Sequence, residues 1–371
     1  MSETEIDRPN HRVCMIVQQR DVKGGIAAVT EGYYGSRLCS DYDITFIESY
    51  CDGSKFAKLK KVMKAYRKFN RLLNSDNRRE LVHMHTSFGP SFYRSVLFIN
   101  KAASAGIPIV NHIHGADFDE FYRNASENKK KMIRKIYGKC DEIVTLSDEW
   151  KDMIAETTDA DKIHVICNYS IPQAKEEIEH IAEKRYNNHQ VLFLGEIGKR
   201  KGAYDLPDII TAVCEKDPNA EFVIAGEGSA KEDVQRLIQK SYIDNVRFPG
   251  WVRGAEKKKL LMESSVYFLP SYQEGMPMSI LDAMGYGLPV VSTDIGGIPQ
   301  IVRNSDDGEN GILCRPGDKD AMADALLSYL TDEKLQHASG LKSLEIVENE
   351  YSLEKHIDKI EDVYSKLLVD V

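Results

Sequence analysis

Residues 274–292 read E-G-M-P-M-S-I-L-D-A-M-G-Y-G-L-P-V-V-S, a stretch that predicts a loop, a helix and a buried strand in succession. Pro277 suits the first helical position because its φ is fixed and it lacks an N–H group. Gly287 is typical of a helix end, and the apolar run after it begins a strand. The stretch therefore places Glu274 in the loop and Asp282 about one turn inside the helix.

The start of this helix is a predicted anion site. A helix N-terminus offers free N–H groups and the positive end of the dipole, and both favour a bound phosphate. The residues predicted to hold the anion are Gly275, Met276, Pro277 and Met278. The flanking carboxylates can accept hydrogen bonds from hydroxyl groups. A sugar nucleotide combines a diphosphate with a ribose and a hexose, so the pattern indicates a sugar-nucleotide site.

The stretch resembles the acidic-x7-acidic motif of the retaining glycosyltransferases of the GT-B fold, family 4 type. The similarity extends over the pattern E-G-M-P-x-S-x-L-D-A-M-x-x-G-x-P-V-V-S-T, which ends at Thr293. The family usually has Glu at both acidic positions, whereas Asp282 occupies the second here. The resemblance implies an α/β chain with two Rossmann-like domains facing across a cleft, and transfer with retention at the anomeric carbon. Glu274 would hold hydroxyls of the donor sugar, and Asp282 those of the ribose.

The composition describes an ordinary globular chain of 371 residues, with 42% hydrophobic and 29% charged residues. The net charge of −9 argues against a general nucleic-acid-binding protein. Seven cysteines without a C-x-x-C spacing argue against a disulfide framework and a structural zinc site. The polar N-terminus does not read as a signal peptide, and no apolar run reaches the length of a membrane span. We therefore expect a cytoplasmic protein.

One segment is basic and amphipathic. Between residues 55 and 73 there are eight Lys and Arg residues and no acid. Apolar residues recur there at helical spacing: Phe56, Leu59, Met63, Tyr66, Phe69 and Leu73. Such a helix is typical of a membrane-surface element attracted to anionic lipid, and residues 128–139 form a second basic patch. A helix that packs on its domain with a basic outer face explains the pattern as well, so peripheral binding to the inner membrane face is one of two open interpretations.

Apolar runs of strand length alternate with helical patterns in two rounds, which predicts two doubly wound parallel sheets. The expected domains are an N-terminal Rossmann-like acceptor domain (1–170), a polar linker (171–188) and a C-terminal Rossmann-like donor domain (189–351). A last helix, 352–371, is expected to pack back on the first domain. The predicted strands are 12–17, 43–47, 81–85, 107–113, 142–147, 163–166, 190–195, 221–226, 246–248, 266–270, 289–292 and 311–314.

The loop at 195–202 reads G-E-I-G-K-R-K-G and follows the first strand of the second domain. Glycines and three cations at a strand–helix junction predict an anion site. The loop resembles the family's G-R-L-x-x-x-K-G, in which Arg and Lys grip the diphosphate. Lys201 matches the Lys, but Glu196 stands at the Arg position. Because a carboxylate repels a diphosphate, Glu196 is expected to turn away, and Lys199 or Arg200 to supply the missing cation.

Other loops at strand ends carry the remaining predicted donor contacts. Glycines there let the backbone approach a ligand closely, although a G-x-G alone is usually only a turn. The segment F-P-G-W-V at 248–252 resembles a family segment whose backbone contacts the base. The residues predicted to contact the donor are Gly24, Gly25, Gly195, Gly226, Gly228, Trp251 and Val252.

His114-Gly115 ends a predicted strand and resembles the family's H-G pair, in which the His borders the transferred sugar. Its ring is predicted to hydrogen-bond a sugar hydroxyl or to meet a developing charge. His83, His85 and His112 belong to the same sheet. His83 and His85 share one face of their strand. No third ligand is obvious, so the sequence predicts no metal site.

The predicted reaction moves a hexose-type sugar from a UDP- or GDP-linked donor to a glycan or lipid-linked acceptor, for cell-surface polysaccharide or glycolipid synthesis. The predicted catalytic residues are His114, Glu274 and Lys201. Lys201 and the helix amides would stabilise charge on the leaving diphosphate, so neither a metal nor a cofactor is expected. Two alternatives stay open: a sugar-nucleotide epimerase on the same fold, and a non-catalytic GT-B-like binding subunit, which Glu196 makes conceivable.

Overall fold

The chain forms two compact units, each built on a six-stranded parallel sheet with interleaved helices. The first unit takes the chain up to Cys167 and again from His356, and the second is the continuous stretch Asn168–Lys355. This arrangement confirms the predicted class of two Rossmann-like domains. The computed structural model describes residues 11–75, 79–115, 117–240, 244–305 and 308–368.

The sheet of the first unit is parallel throughout. Its strands are β1 (Arg12–Gln18), β2 (Asp43–Tyr50), β3 (Leu81–Thr86), β4 (Ile109–Ile113), β5 (Glu142–Thr145) and β6 (Ile163–Val165). Their order across the sheet is β2-β1-β3-β4-β5-β6. β3 and β4 are buried along their whole length, as expected for inner strands that helices cover on both faces.

The helices of the first unit follow its strands in alternation. They are α1 (Gly25–Glu31), α2 (Arg37–Asp41), α3 (Lys55–Leu73), α4 (Pro90–Ser104), α5 (Glu127–Tyr137), α6 (Asp148–Ala155) and, after the second unit, α15 (Leu353–Leu367), with a π-helical turn (Asp119–Arg123) and a 3-10 turn (Ala160–Lys162). Phe69 of α3, Phe98 of α4 and Trp150 of α6 belong to one apolar core. Tyr364 brings α15 into the same unit, since its ring is fully buried and its hydroxyl lies 2.6 Å from Nδ1 of His83.

Helix α3 buries only part of its apolar surface. Ser54 caps its N-terminus by accepting a hydrogen bond from the backbone N–H of Ala57 at 3.2 Å. Phe69 packs in the core, whereas Phe56, Leu59 and Met63 are 76%, 58% and 47% exposed. The apolar residues of the predicted amphipathic helix therefore do not form one buried face. Neither α3 nor any other helix in the described part of the chain has the length and apolar character to cross a membrane.

The second unit repeats the pattern. Its strands are β7 (Gln190–Leu194), β8 (Glu221–Ala225), β9 (Val246–Arg247), β10 (Val266–Leu269), β11 (Val290–Thr293) and β14 (Gly311–Cys314), with a short antiparallel pair, β12 (Asn304–Ser305) and β13 (Gly308–Glu309). The parallel sheet has the order β14-β11-β10-β7-β8-β9. Its helices are α7 (Lys175–Asn187), α8 (Leu206–Lys216), α9 (Lys231–Lys240), α10 (Gly254–Glu263), α11 (Met278–Gly285), α12 (Ile298–Ile301), α13 (Lys319–Thr331) and α14 (Glu333–Glu350), with a 3-10 turn (Lys199–Lys201).

The structure differs from the prediction in the segment 171–188, which was interpreted as a linker. It contains helix α7, and this helix belongs to the second unit. Arg185 anchors it, because its buried guanidinium donates hydrogen bonds to the backbone carbonyls of Gly287 at 2.9 Å and Leu261 at 3.2 Å. Because the residue that anchors α7 is charged, the segment lacks the clear periodicity of apolar residues that usually predicts a packed helix.

Candidate active site

The loops that follow β7 and β10 bring a buried acid and a buried base together. The two strands are parallel neighbours, so their carboxyl ends lie at the same edge of the sheet. Glu274, after β10, is only 7% exposed. Its Oε1 lies 2.5 Å from Nζ of Lys201 and accepts a 2.7 Å hydrogen bond from the Ser271 hydroxyl. Two of the three predicted catalytic residues thus form one ion pair.

Backbone contacts between the two loops hold Lys201 in this place. Gly202, the next residue, has φ 71°, a left-handed conformation that favours glycine. A Cβ at Gly202 would lie 1.9 Å from the carbonyl oxygen of Pro270, so a larger residue would push the loops apart. The N–H of Tyr272 donates to the carbonyl of Arg200 at 2.8 Å. The position of the lysine therefore follows from close main-chain packing.

Arg200, rather than Lys199, is the second cation beside the acid. Its Nη1 donates to the carbonyl of Gln273 at 3.0 Å and lies 3.8 Å from Oε2 of Glu274. Lys199 is exposed, and no ion pair within the described ranges includes it. The Glu196 side chain is 58% exposed, with its Oε2 3.6 Å from Nη2 of Arg200. The acid at the family's Arg position is thus partly neutralised by this arginine.

The segment before α11 presents backbone N–H groups to the same region. Helix α11 begins at Met278, and Pro277 is the capping residue before it rather than the first helical residue. For the residues that the structure describes, the N–H groups of Gly275, Met276 and Met278 have no protein acceptor. The carbonyl of Gly275, by contrast, accepts from the N–H of Gly297 at 2.7 Å. Free N–H groups at a helix start suit an anion.

Asp282, the second acid of the motif, is held by a lysine that no sequence motif marks. Its Oδ2 lies 2.5 Å from Nζ of Lys257, and both side chains are partly buried. Lys257 lies on α10, 25 positions earlier in the chain. A pair formed between two helices leaves no local sequence pattern. A ribose hydroxyl bound by Asp282 would share the carboxylate with this lysine.

Gly226 and Gly228 are required by contact between two protein loops. A Cβ at Gly226 would lie 1.7 Å from the carbonyl oxygen of Gly195, and one at Gly228 would lie 2.2 Å from that of Ile197. The N–H of Ile197 also donates to the carbonyl of Glu227 at 2.9 Å. The close backbone approach that we predicted toward a ligand is therefore made by the neighbouring loop, and a donor contact of these glycines stays a prediction.

Four further residues predicted to contact the donor lie in the loops after strands or at the helix start that follows. Gly24 caps α1 and Gly25 begins it, and a Cβ at either position would meet no atom within 4 Å. Trp251 is half-buried and Val252 is buried, in the loop between β9 and α10. Both glycines belong to the first unit, and the other two residues belong to the second. Their contacts with a donor stay predictions.

His114 is part of a histidine cluster in the first unit. The members of this cluster are His83, His85, His112, His114 and His356, whose rings stack in succession. His114 Nε2 lies 2.9 Å from Nδ1 of His85. Burial lowers the pKa of His114 to about 3, so its ring is neutral at physiological pH. Its Nδ1 is the atom left for the predicted contact with a sugar hydroxyl.

Two family models match most of the chain. Glycosyl transferases group 1 matches residues 188–332, and Glycosyltransferase Family 4 matches residues 32–169. Together they cover about three quarters of the sequence. This chain belongs to the group 1 (family 4) glycosyltransferases. The resemblance found in the sequence is thereby confirmed, and the protein is a transferase.

Named relatives of this glycosyltransferase are similar over much of its length. The UDP-Gal:alpha-D-GlcNAc-diphosphoundecaprenol alpha-1,3-galactosyltransferase of Escherichia coli is 27% identical over 340 residues, which cover 88% of this chain and 84% of the relative. The putative teichuronic acid biosynthesis glycosyltransferase TuaC of Bacillus subtilis is 25% identical over 256 residues, covering 67% of this chain and 61% of the relative.

Solved structures agree on the fold of this glycosyltransferase. Sucrose-phosphate synthase from Thermosynechococcus elongatus superposes with a TM-score of 0.77 at 16% identity, covering 96% of this chain and 99% of that one. HepE from Anabaena, solved in complex with UDP-glucose, gives a TM-score of 0.71 at 15% identity, with 96% and 99% coverage. At such identities the comparison shows the GT-B fold alone.

Proposed function

We propose that this glycosyltransferase moves a hexose-type sugar from a UDP- or GDP-linked donor to a glycan or lipid-linked acceptor, with retention, in cell-surface polysaccharide or glycolipid synthesis. The buried ion pair of Lys201 and Glu274, beside the free N–H groups before α11, is the observation on which the proposal rests. The relatives support the substrate classes, since the Escherichia coli enzyme is named for UDP-Gal and a diphosphoundecaprenol-linked sugar and HepE was solved with UDP-glucose.

Donor binding would change the partners of a buried charge pair. Lys201 and Glu274 neutralise each other in the structure. A diphosphate would take over Lys201 and Arg200, and Glu274 would accept hydrogen bonds from hydroxyls of the donor sugar. Charge that develops on the leaving diphosphate is then stabilised by two side-chain cations and backbone N–H groups. Because this donor set carries the charge that a divalent metal carries in other transferases, we propose metal-independent transfer.

The acceptor hydroxyl must lose a proton as it attacks. Glu274 is held by Lys201 and Ser271, which suits a positioning role better than that of a covalent nucleophile. We therefore assign proton removal to an oxygen of the leaving diphosphate, as the family resemblance implies. His114, being neutral, would hydrogen-bond a sugar hydroxyl and leave the charge balance of the site unchanged.

Donor identity and reaction class are tested in one series. UDP-, GDP- and ADP-sugars are compared by thermal shift, and each is then incubated with the enzyme to measure release of the nucleoside diphosphate. A transferase is expected to show a shift with a uridine or guanosine donor and slow release without acceptor. A binding subunit would give the shift alone, and an epimerase would change the sugar without releasing nucleotide. No shift with any donor would contradict the proposal.

Replacing Asp282 with Asn is expected to raise the KM for the donor about ten- to hundredfold and to leave kcat nearly unchanged. Hydrogen bonds to a charged group contribute about 1.5–3 kcal/mol, and the ribose is remote from the reacting carbon. Initial rates at varied donor concentration give both constants. Asp324→Asn, in an exposed pair with Lys216 of the same unit, is the matched control. A lower kcat at unchanged KM would assign Asp282 to the chemical step instead.

Gly25→Ala separates a structural role of the glycine loop from contact with the donor. A Cβ at Gly25 meets no atom within 4 Å, so the protein is expected to stay as stable as the wild type or gain up to about 1 kcal/mol. If the loop borders the donor, the added methyl group raises donor KM without lowering Tm. Thermal unfolding and steady-state kinetics, measured on the same preparation, distinguish a structural role of Gly25 from contact with the donor. An unchanged KM would remove Gly25 from the donor site.

We also propose that helices α3 and α4 bind an anionic membrane surface. They expose an apolar group, here called the α3–α4 patch, of Phe56, Leu59, Met63, Tyr93 and Leu97, each at least 47% exposed. Lys58 of α3 and Arg94 of α4 both lie over the ring of Tyr50, so the N-terminal halves of the two helices are neighbours. A group of exposed apolar side chains on neighbouring helices is typical of a binding surface.

The charge around the α3–α4 patch favours anionic lipid as the occupant. Helix α3 carries exposed cations that take part in no ion pair within the described part of the chain: Lys55, Lys60, Lys64, Arg67 and Arg71. Each Lys or Arg near an anionic bilayer contributes about 1 kcal/mol of attraction. Apolar side chains and cations on one helix fit the boundary between headgroups and acyl chains.

The double variant Leu59→Glu/Met63→Glu is expected to weaken binding to phosphatidylglycerol-containing vesicles by at least about tenfold, because two buried apolar contacts are lost and two repelled charges are gained. Co-sedimentation measures the affinity, and nucleotide release from the free donor shows that the second unit stays intact. Leu237→Glu, at an exposed leucine of α9, is the control. Equal binding by wild type and double variant would refute the membrane surface.

A further inference from the structure

Three members of the histidine cluster share one face of two neighbouring strands. His83 and His85 lie on β3, and His112 lies on β4 opposite His85. All three rings are buried, with His83 and His112 at 0% and His85 at 5% exposure. One ring nitrogen of each lies within 4.8 Å of the corresponding atoms of the other two. The strand pairing thus supplies the third imidazole that the sequence alone did not reveal.

Each of these rings keeps a nitrogen without a partner. Nε2 of His83, Nε2 of His85 and both ring nitrogens of His112 are buried and make no hydrogen bond to any described residue. Buried polar atoms in proteins almost always have a partner. Several unpartnered nitrogens on one sheet face therefore point to a ligand that accepts nitrogen lone pairs.

The opposite nitrogens of two rings are already held. Nδ1 of His83 lies 2.6 Å from the hydroxyl of Tyr364, and Nδ1 of His85 lies 2.9 Å from Nε2 of His114. A histidine that binds a metal typically has its second nitrogen in such a hydrogen bond, which fixes the orientation of the ring. Nδ1 of each of these two rings is thus engaged while Nε2 is free, as a metal ligand requires.

We propose that His83, His85 and His112 bind one divalent transition-metal ion, with Zn²⁺ as the first candidate, through Nε2 of His83 and His85 and one nitrogen of His112. Imidazole donors suit zinc, copper and nickel rather than magnesium or calcium. Zn–N bonds of about 2.0–2.1 Å place tetrahedral ligand atoms roughly 3.4 Å apart, whereas these nitrogens lie within 4.8 Å of one another in stacked rings, so the rings must turn toward the ion to close the set. A fourth position would remain for water.

The ion would connect β3 and β4 within the first unit. Its ligands are buried in the sheet face beside α15, and the Lys201–Glu274 pair belongs to the other unit. Burial of all three ligands indicates a stabilising role rather than a second reaction centre. An ion that binds only the folded chain raises its unfolding temperature as its concentration rises.

The test uses the full, tag-free chain after treatment with a chelator. Zn²⁺ is titrated by calorimetry, and Co²⁺ is titrated in parallel because its visible absorption reports coordination by few ligands. We expect one ion per chain, a higher Tm, and cobalt absorption typical of four or five ligands. A stripped chain that takes up neither ion in about tenfold excess, at a Tm that does not change, overturns the proposal.

Variants assign the ligands. His112→Leu is expected to abolish the one-to-one uptake and to keep the fold, because this ring makes no hydrogen bond to a described residue. Tyr364→Phe is expected to weaken the affinity about tenfold through the lost contact to His83. His164→Gln, which removes an ion pair with Glu142 outside the cluster, serves as control. Far-UV circular dichroism checks each fold. A folded His112→Leu variant that binds as the wild type overturns the assignment.

Discussion

Lys201→Met is expected to lower kcat of sugar transfer about 10²–10³-fold. A preorganised donor aimed at developing charge contributes about 2.7–4 kcal/mol to transition-state stabilisation, and no other side chain of the described site approaches Glu274 as closely. Nucleoside diphosphate release at saturating donor and acceptor measures the loss. Lys216→Met, in an exposed pair with Asp324 of the same unit, is expected to behave as the wild type.

The single variant also leaves a buried charge unpaired. Removing one partner of a buried ion pair costs about 3–5 kcal/mol of stability, so the loss of activity alone would not separate chemistry from folding. The double variant Lys201→Met/Glu274→Gln removes both charges. It is expected to recover most of the stability, measured by urea unfolding, and to stay inactive. If the activity returned together with the stability, Lys201 would have no direct role in the reaction.

Gly226→Ala is expected to destabilise the second unit by about 3 kcal/mol, near the upper end of the range for overpacked sites. The new Cβ would lie 1.7 Å from the carbonyl oxygen of Gly195, which is main chain and has little freedom to move. For a unit of this size the loss corresponds to a Tm lowered by about 6–12 °C. Differential scanning calorimetry measures the shift, and donor affinity is expected to fall with it because the loop carrying Lys201 moves.

Gly198→Ala is the matched control, in the loop after β7 against which Gly226 packs. The nearest atom to the new Cβ at position 198 would be Oε1 of Glu196, at 3.3 Å, which is the end of an exposed and flexible side chain. The change in stability is therefore expected to stay within about 0.5 kcal/mol. If both alanine variants melted at the wild-type temperature, close packing of the two loops would not be what requires Gly226.

The strands could be predicted from the sequence because helices cover both faces of each sheet. In a parallel sheet with helices on both faces, each inner strand is a continuous apolar run. All twelve predicted strands overlap strands of the two sheets, and their ends differ by no more than three residues. The motif around Glu274 was equally visible, since the loop, the acid and the helix start lie in one short segment. Local patterns therefore recovered the fold class, and they marked the acidic motif on which the proposed donor site rests.

Contacts between distant segments were not predictable in the same way. Lys257 reaches Asp282 from another helix, and the pairing of β3 with β4 places His112 opposite His85. Helix α7 was not predicted, because the residue that anchors it, Arg185, is a charged side chain whose guanidinium donates hydrogen bonds to backbone carbonyls. The periodicity of α3 predicted the helix correctly but not how deeply each side chain is buried, since Phe56 is 76% exposed.

The return of α15 to the first unit has a consequence for synthesis of the chain. The second unit is one uninterrupted stretch, so all of its residues leave the ribosome before the first unit has received its last helix. Until then the sheet of the first unit lacks Tyr364 against His83 and His356 against Tyr33. Domains generally fold as units. The part of the protein that is translated first is therefore the part that is completed last.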